Sequence, residues 1–128
     1  MEAAGAVTIE TAKPFGPAPG RFSASGGLEE SGTFLNSSLI VEPPDHEGSV
    51  TVHVTQRFTG GRGAFTLRAA ITERATGDPH VVDDDGTWAI IGGTGAYTSL
   101  RGGGRLRGTA DHARDLIRRT YEGAVRQV

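Results

Sequence analysis

The sequence contains no cysteine, and this absence excludes a disulfide framework, a thiolate nucleophile and a zinc site built on sulfur. Lysine is almost missing as well. Lys13 is the only one, so arginine supplies nearly all of the 13 basic residues, against 15 acidic ones. A formal net charge of −2 sets up no long-range field that would draw the chain to nucleic acid or to an anionic membrane. No apolar run reaches the ~18 residues of a membrane-spanning helix, and "MEAAGAVTIETAK" has neither the basic nor the apolar segment of an export signal. The expectation is a cytoplasmic protein with no nucleic-acid or membrane partner.

Helical patterning is missing too. No window keeps a 3.6-residue apolar stripe for three turns, and no internal repeat of roughly 20–50 residues marks a solenoid or propeller. What the chain has in excess is glycine, 20 in 128 residues, without the period of collagen. These glycines sit between short stretches in which apolar and polar residues alternate. That period of two predicts strands over 7–11, 21–30, 33–42, 49–59, 63–74, 86–91, 103–110 and 116–125. Turn chemistry separates them in "KPFGPAPG", "EPPDHEG", "TGGRG" and "ATGDPHVVDDDG".

Short connections favour antiparallel neighbours, and the polar residues 111–115 join the last two strands as a hairpin. Closing such a sheet removes its edges. The predicted fold is therefore all-β, a single closed antiparallel barrel of about eight strands spanning 1–128, with 1–20 a partly extended N-terminal segment. A β-sandwich is the alternative.

The stretch "GTWAIIGGTGAYTSLRGGG" (86–104) has the look of a phosphate-binding loop, since an apolar run enters a glycine cluster. The spacing of Gly93, Gly95 and Thr98 breaks G-x-G-x-x-G, and no G-K-[ST] occurs anywhere. A helix beyond it would carry Gly102, Gly103 and Gly104 at a cost of roughly 1 kcal/mol each relative to alanine. The glycines turn the chain rather than hold a nucleotide. Residues 95–100 are expected to make one short helical turn that sets Tyr97 and Leu100 on one side and braces a barrel end.

The order of a strand, "GGTGAY", "LRG", a Gly-rich strand, a polar turn and a closing strand "TYEG" resembles the allene oxide cyclase-like barrels, which include plant dirigent proteins and small bacterial relatives. "ASGGLEESGTF" (24–34) and "RFTGGRGAFTLR" (57–68) are similar to strands of those bacterial relatives, so the resemblance spans roughly residues 20–125. It implies an eight-stranded antiparallel barrel, often dimeric or trimeric, whose axial apolar cavity binds a reactive intermediate and steers its cyclisation without metal or organic cofactor. Residues 92–97 and 100–102 match the motif as architecture. None of them carries over as a catalytic group.

Alternation also tells which polar side chains share a face with apolar ones. Gln56 lies with Val50, Val52, Val54 and Phe58; Glu73 with Phe65, Leu67, Ala69 and Ile71; Glu30 with Phe22, Ala24 and Leu28; Arg119 with Ile117, Tyr121 and Val125. An inward carboxyl needs a partner such as Arg119, Gln56 or Tyr121, and an apolar cavity would raise its pKa toward the range of a general acid or base. The candidate catalytic residues are Glu30, Arg119 and Tyr121. The candidate substrate contacts are Phe22, Leu28, Val52, Val54, Gln56, Phe65, Leu67, Glu73, Trp88 and Tyr97. The plainer alternative has Glu73 reaching solvent at a strand end, a bulge turning Glu30 or Arg119 outward, and Tyr97 and Trp88 serving only as packing.

A metal site is not expected. His46, His80 and His112 fall in predicted loops and His53 on a polar face, while "DDDG" (83–86) lacks the spaced ligands of a calcium loop and reads as a solvated turn. The expected function is a cofactor-free cyclase or isomerase acting on a small apolar molecule inside the barrel. The alternatives are a non-catalytic carrier of such a molecule and a structural domain.

Overall fold

The protein is described by a computed structural model covering residues 4–128. Eight strands follow in chain order: β1 (Ala4–Lys13), β2 (Gly20–Gly26), β3 (Glu30–Val41), β4 (Val50–Gly60), β5 (Gly63–Ala75), β6 (Val81–Gly95), β7 (Leu100–Asp111) and β8 (Leu116–Gln127). Each pairs antiparallel with the next, and β8 returns to β1, so the sheet closes into a barrel. The sandwich is thereby excluded. The expected hairpin of the last two strands is β7–β8, with Leu106 opposite Tyr121.

Three local expectations change. The described residues contain no helix: 96–99 form a turn in which the Tyr97 N–H donates to the Thr94 carbonyl at 3.1 Å and the Leu100 N–H to the Tyr97 carbonyl at 3.1 Å. The strand expected over 21–30 ends earlier, because Gly26 takes a φ of 94°, which a side chain would resist. Glu30 therefore opens β3 instead of closing β2. Finally, "DDDG" is no solvated turn. The Ala75↔Val82 and Glu73↔Asp84 pairs carry the β5–β6 ladder through it, so Asp83 and Asp85 face out while Asp84 faces in.

The alternation that predicts the strands also fills the interior. Phe58 stacks between Phe34 and Phe65 with both ring centroids 5.0 Å away, and Phe22 meets Phe58 edge-on at 5.0 Å. Tyr121 closes the column, 6.3 Å from Phe58 and 6.2 Å from Trp88. Ile9, Gln56, Phe58, Phe65, Leu67 and Tyr121 are 0% exposed, so no void of water size adjoins any of them. Burying each large apolar side chain contributes roughly 2 kcal/mol.

The barrel has two dissimilar ends. One carries the tight turns β2–β3, β4–β5 and β6–β7. The other carries the loops β1–β2, β3–β4 and β5–β6 and the β7–β8 turn.

Candidate functional site

Charged residues enter the barrel at the loop end, in a row that the strand register defines. Val50, Glu73, Asp84, Gly108, Arg119 and Thr11 stand opposite one another in turn, on β4, β5, β6, β7, β8 and β1. Two carboxyl groups thus face each other directly, which is unfavourable by itself. Arg119 relieves it from two strands away: its Nε and Nη2 both lie 2.9 Å from Asp84 Oδ2. The reach depends on Gly108, where an added Cβ would come within 2.7 Å of Arg119 Cγ. The guanidinium stem crosses β7 through the space that the glycine leaves.

Both partners are buried, with 12% of the Arg119 side chain and 0% of the Asp84 side chain exposed. Burial pushes the Asp84 carboxyl above its ordinary value even though Arg119 opposes the shift. Glu73 is likewise raised, by burial first and by Asp84 second. Lys13, one step nearer the loops, is held by the carbonyls of Pro14, at 2.9 Å, and Gly16; burial and Arg119 lower its pKa. Thr11 donates its hydroxyl to the Arg119 carbonyl at 3.2 Å.

Below this row Tyr121 donates to Gln56 Oε1 at 2.7 Å, and Gln56 Nε2 donates to Asn36 Oδ1 at 3.1 Å. A polar chain therefore runs from the exposed Asn36 into the core. Against this background one atom stands out. Asp84 Oδ1 is buried and accepts no hydrogen bond, since Arg119 places both of its donors on the other oxygen.

No family model, curated protein or solved structure matches this chain.

Of the residues expected from the sequence, Arg119, Tyr121, Gln56 and Glu73 come together at or below the charged row. Val52 is inward and half-buried beside them, opposite Ile71. Phe22, Val54, Phe65, Leu67 and Trp88 are core, each 4% exposed or less, and the Trp88 Nε1–H donates to the Arg105 carbonyl at 3.0 Å. Leu28 and Tyr97 plug the turn end, also buried.

Glu30 does not join Arg119 and Tyr121. It sits at the turn end, where the Tyr97 hydroxyl donates to its Oε2 at 2.6 Å and the N–H groups of Ser31, Gly61 and Arg62 donate at 3.1–3.3 Å. Led by Tyr97, these donors hold its pKa at about 2, against the raised value expected of an inward carboxyl. It is a clamp over three turns. Glu30→Ala is expected to cost about 1–2 kcal/mol at neutral pH through the lost charge-assisted hydrogen bonds. Because the folded pKa is depressed, that contribution is complete above pH 4.5 and disappears as pH falls toward about 2. Denaturant melts of the two proteins across this window should converge at the acid end.

The residue that sequence reasoning missed is Asp84. Its signal was present in Val82-Asp84-Gly86-Trp88-Ile90, every second residue of an inward face. A surface depression of 830 Å³ runs along the wall of β2-β1-β8-β7-β6, lined by Thr11, Asp84, Gly108 and Arg119 of the charged row together with the outward-facing Glu10, Arg21, Asp83, Arg107 and Arg118. No metal-ligating cluster and no helix long and apolar enough to cross a membrane occur among the described residues.

Proposed function

We propose that the protein binds a small, mostly apolar molecule bearing one amine or hydroxyl donor at the loop end of its barrel. The observation that carries this reading is the unpartnered Asp84 Oδ1. A buried carboxylate oxygen without a donor costs free energy, and a ligand N–H or O–H that reaches it recovers that cost. An apolar wall stands next to it. Val50 is opposite Glu73, Val52 opposite Val41, and the inward-facing Leu39 and Val41 are more than half exposed. The closed eight-stranded meander also supports the resemblance to allene oxide cyclase-like barrels.

A cofactor-free isomerase or cyclase is the second reading, favoured by the Glu73–Asp84 pair. Two carboxyls with raised pKa values beside one guanidinium can keep a proton at a pH where ordinary carboxylates have lost it, as a general acid requires. With the aromatic column closed around the axis, the chemistry would take place at the mouth.

Apolar primary amines and alcohols of graded length, scanned by thermal shift and by the fluorescence of the single Trp88, test the binding reading. Amines or alcohols should raise Tm in the wild type while the matching alkanes do not. Asp84→Asn, which turns the free acceptor into a donor, should abolish the shift. An unresponsive wild type, or an equal response from Asp84→Asn, overturns the proposal.

A further inference from the structure

Among the described residues, the longest stretch of strand with a neighbour on one side only lies on β3. β2 is seven residues long and its ladder with β3 stops at Gly20↔Phe34. β3 continues through residues 35–41 with β4 on one side and no strand on the other. The β1–β2 loop supplies no ladder there, having Pro14, Pro17 and Pro19 among its six residues 14–19. Natural edges are blunted by lysine, proline or short length. This one is long and reads "LNSSLIV", without a charge or a proline.

Its apolar side chains are bare. Leu39 is 60%, Ile40 66% and Val41 56% exposed, a run of three neighbouring large apolar residues on one unpaired strand. The backbone phase is set by the Glu42 N–H, which donates to the Thr51 carbonyl on β4 at 2.9 Å. Ser38 and Ile40 share that phase and also turn toward β4. The N–H and C=O groups of Leu39 and Val41 therefore point out of the sheet, unpaired.

We infer that this edge pairs antiparallel with the same edge of a second copy of the chain, extending two barrels into one continuous sheet about a two-fold axis at Ile40. The occupant follows from self-complementarity. With Ile40 opposite its own copy, Leu39 stands opposite the partner's Val41, and each pair exchanges both backbone hydrogen bonds. On the outer face Ile40 packs on its copy, and on the inner face leucine packs on valine, so all three exposed residues are covered at once. Charge agrees with this register. Glu42, in contact with His53 of its own chain, faces a serine hydroxyl at position 38 rather than another carboxylate. The pairing covers Leu39 and Val41, which also form the apolar wall beside the proposed ligand site, but its backbone hydrogen bonds and the Ile40 contact need no ligand there.

The missing cysteines make the register directly testable. Sedimentation equilibrium of the wild type should give twice the 13.3 kDa of the chain, and Ile40→Lys, at an exposed position that the barrel does not need, should give the single-chain mass with Tm otherwise that of a folded barrel. Ile40→Cys should form a covalent dimer under oxidised glutathione, because non-hydrogen-bonded antiparallel partners hold Cα atoms ~4.5 Å apart, within disulfide reach. Leu35→Cys, also exposed on the same strand but far from its copy in this register, should not. A wild type that stays single-chain at every concentration, an Ile40→Lys variant that remains paired, equal cross-linking of the two cysteine variants, or a wild-type edge occupied by a peptide of another protein would each overturn the inference.

Discussion

Replacing Arg119 by methionine is expected to lower stability at pH 7 by about 3–5 kcal/mol, among the largest effects of any surface-neighbouring substitution in this barrel. Among the described residues the guanidinium is the one cation paired with Asp84, and without it a fully buried carboxylate faces Glu73 with no counter-charge. Removing one partner of a buried pair costs far more than removing both. Arg119→Met combined with Asp84→Leu should therefore recover most of the loss, and the coupling from the double-mutant cycle measures it. The pH dependence has a definite sign. Asp84 already titrates above its ordinary value, and losing Arg119 raises it further. A raised folded pKa means that the penalty is absent below the unfolded pKa and grows as pH rises through the folded one. The variant should sit closest to the wild type in acid and fall away from it toward neutrality. Chemical denaturation from pH 4 to pH 8 checks this, and a deficit that does not change with pH would show that packing of the arginine stem matters more than its charge.

Phe58→Ala is expected to cost about 3–5 kcal/mol, comparable in size but different in origin. Phe58 is 0% exposed and contacts Phe22, Phe34, Phe65 and Tyr121 at centroid distances of 5.0–6.3 Å, so it joins both ends of the aromatic column. Its neighbours belong to four different strands and cannot all collapse into the gap. The cavity left behind adds to the lost transfer energy. This loss should be nearly flat with pH, in contrast to that of Arg119→Met, because no charged group touches the ring. A dry cavity lined by aromatic rings also accepts an apolar guest, so benzene should restore part of the Tm of Phe58→Ala while leaving the wild type unmoved. Calorimetry with and without benzene separates a persistent cavity from a collapsed one.

These two substitutions mark what each level of organisation contributes. The period of two and the placement of glycines and turn residues were enough to specify eight antiparallel strands, their approximate spans and the inward face of four of them. Gln56, Glu73, Arg119 and Tyr121 were legible as inward polar residues because a face in a strand is a local property. The missing phosphate-loop spacing was legible for the same reason.

Other features depended on which strands become neighbours. Glu30 and Arg119 look alike in sequence, each an inward charge among apolar residues, yet they stand at opposite ends of the barrel. Glu30 meets Tyr97 across 67 positions of chain and becomes a firmly ionised clamp. Arg119 crosses Gly108 to reach Asp84, 35 positions away, and leaves one oxygen of that carboxylate unsatisfied. The open edge of β3 arises only because β2 stops short of it.

Local periodicity thus determined where the strands run and, for those in which the alternation is unbroken, which way the side chains point. Barrel closure alone decided which charges meet, which are satisfied and which backbone groups stay bare, because pairing partners, burial and pKa all depend on contacts between residues far apart in the chain.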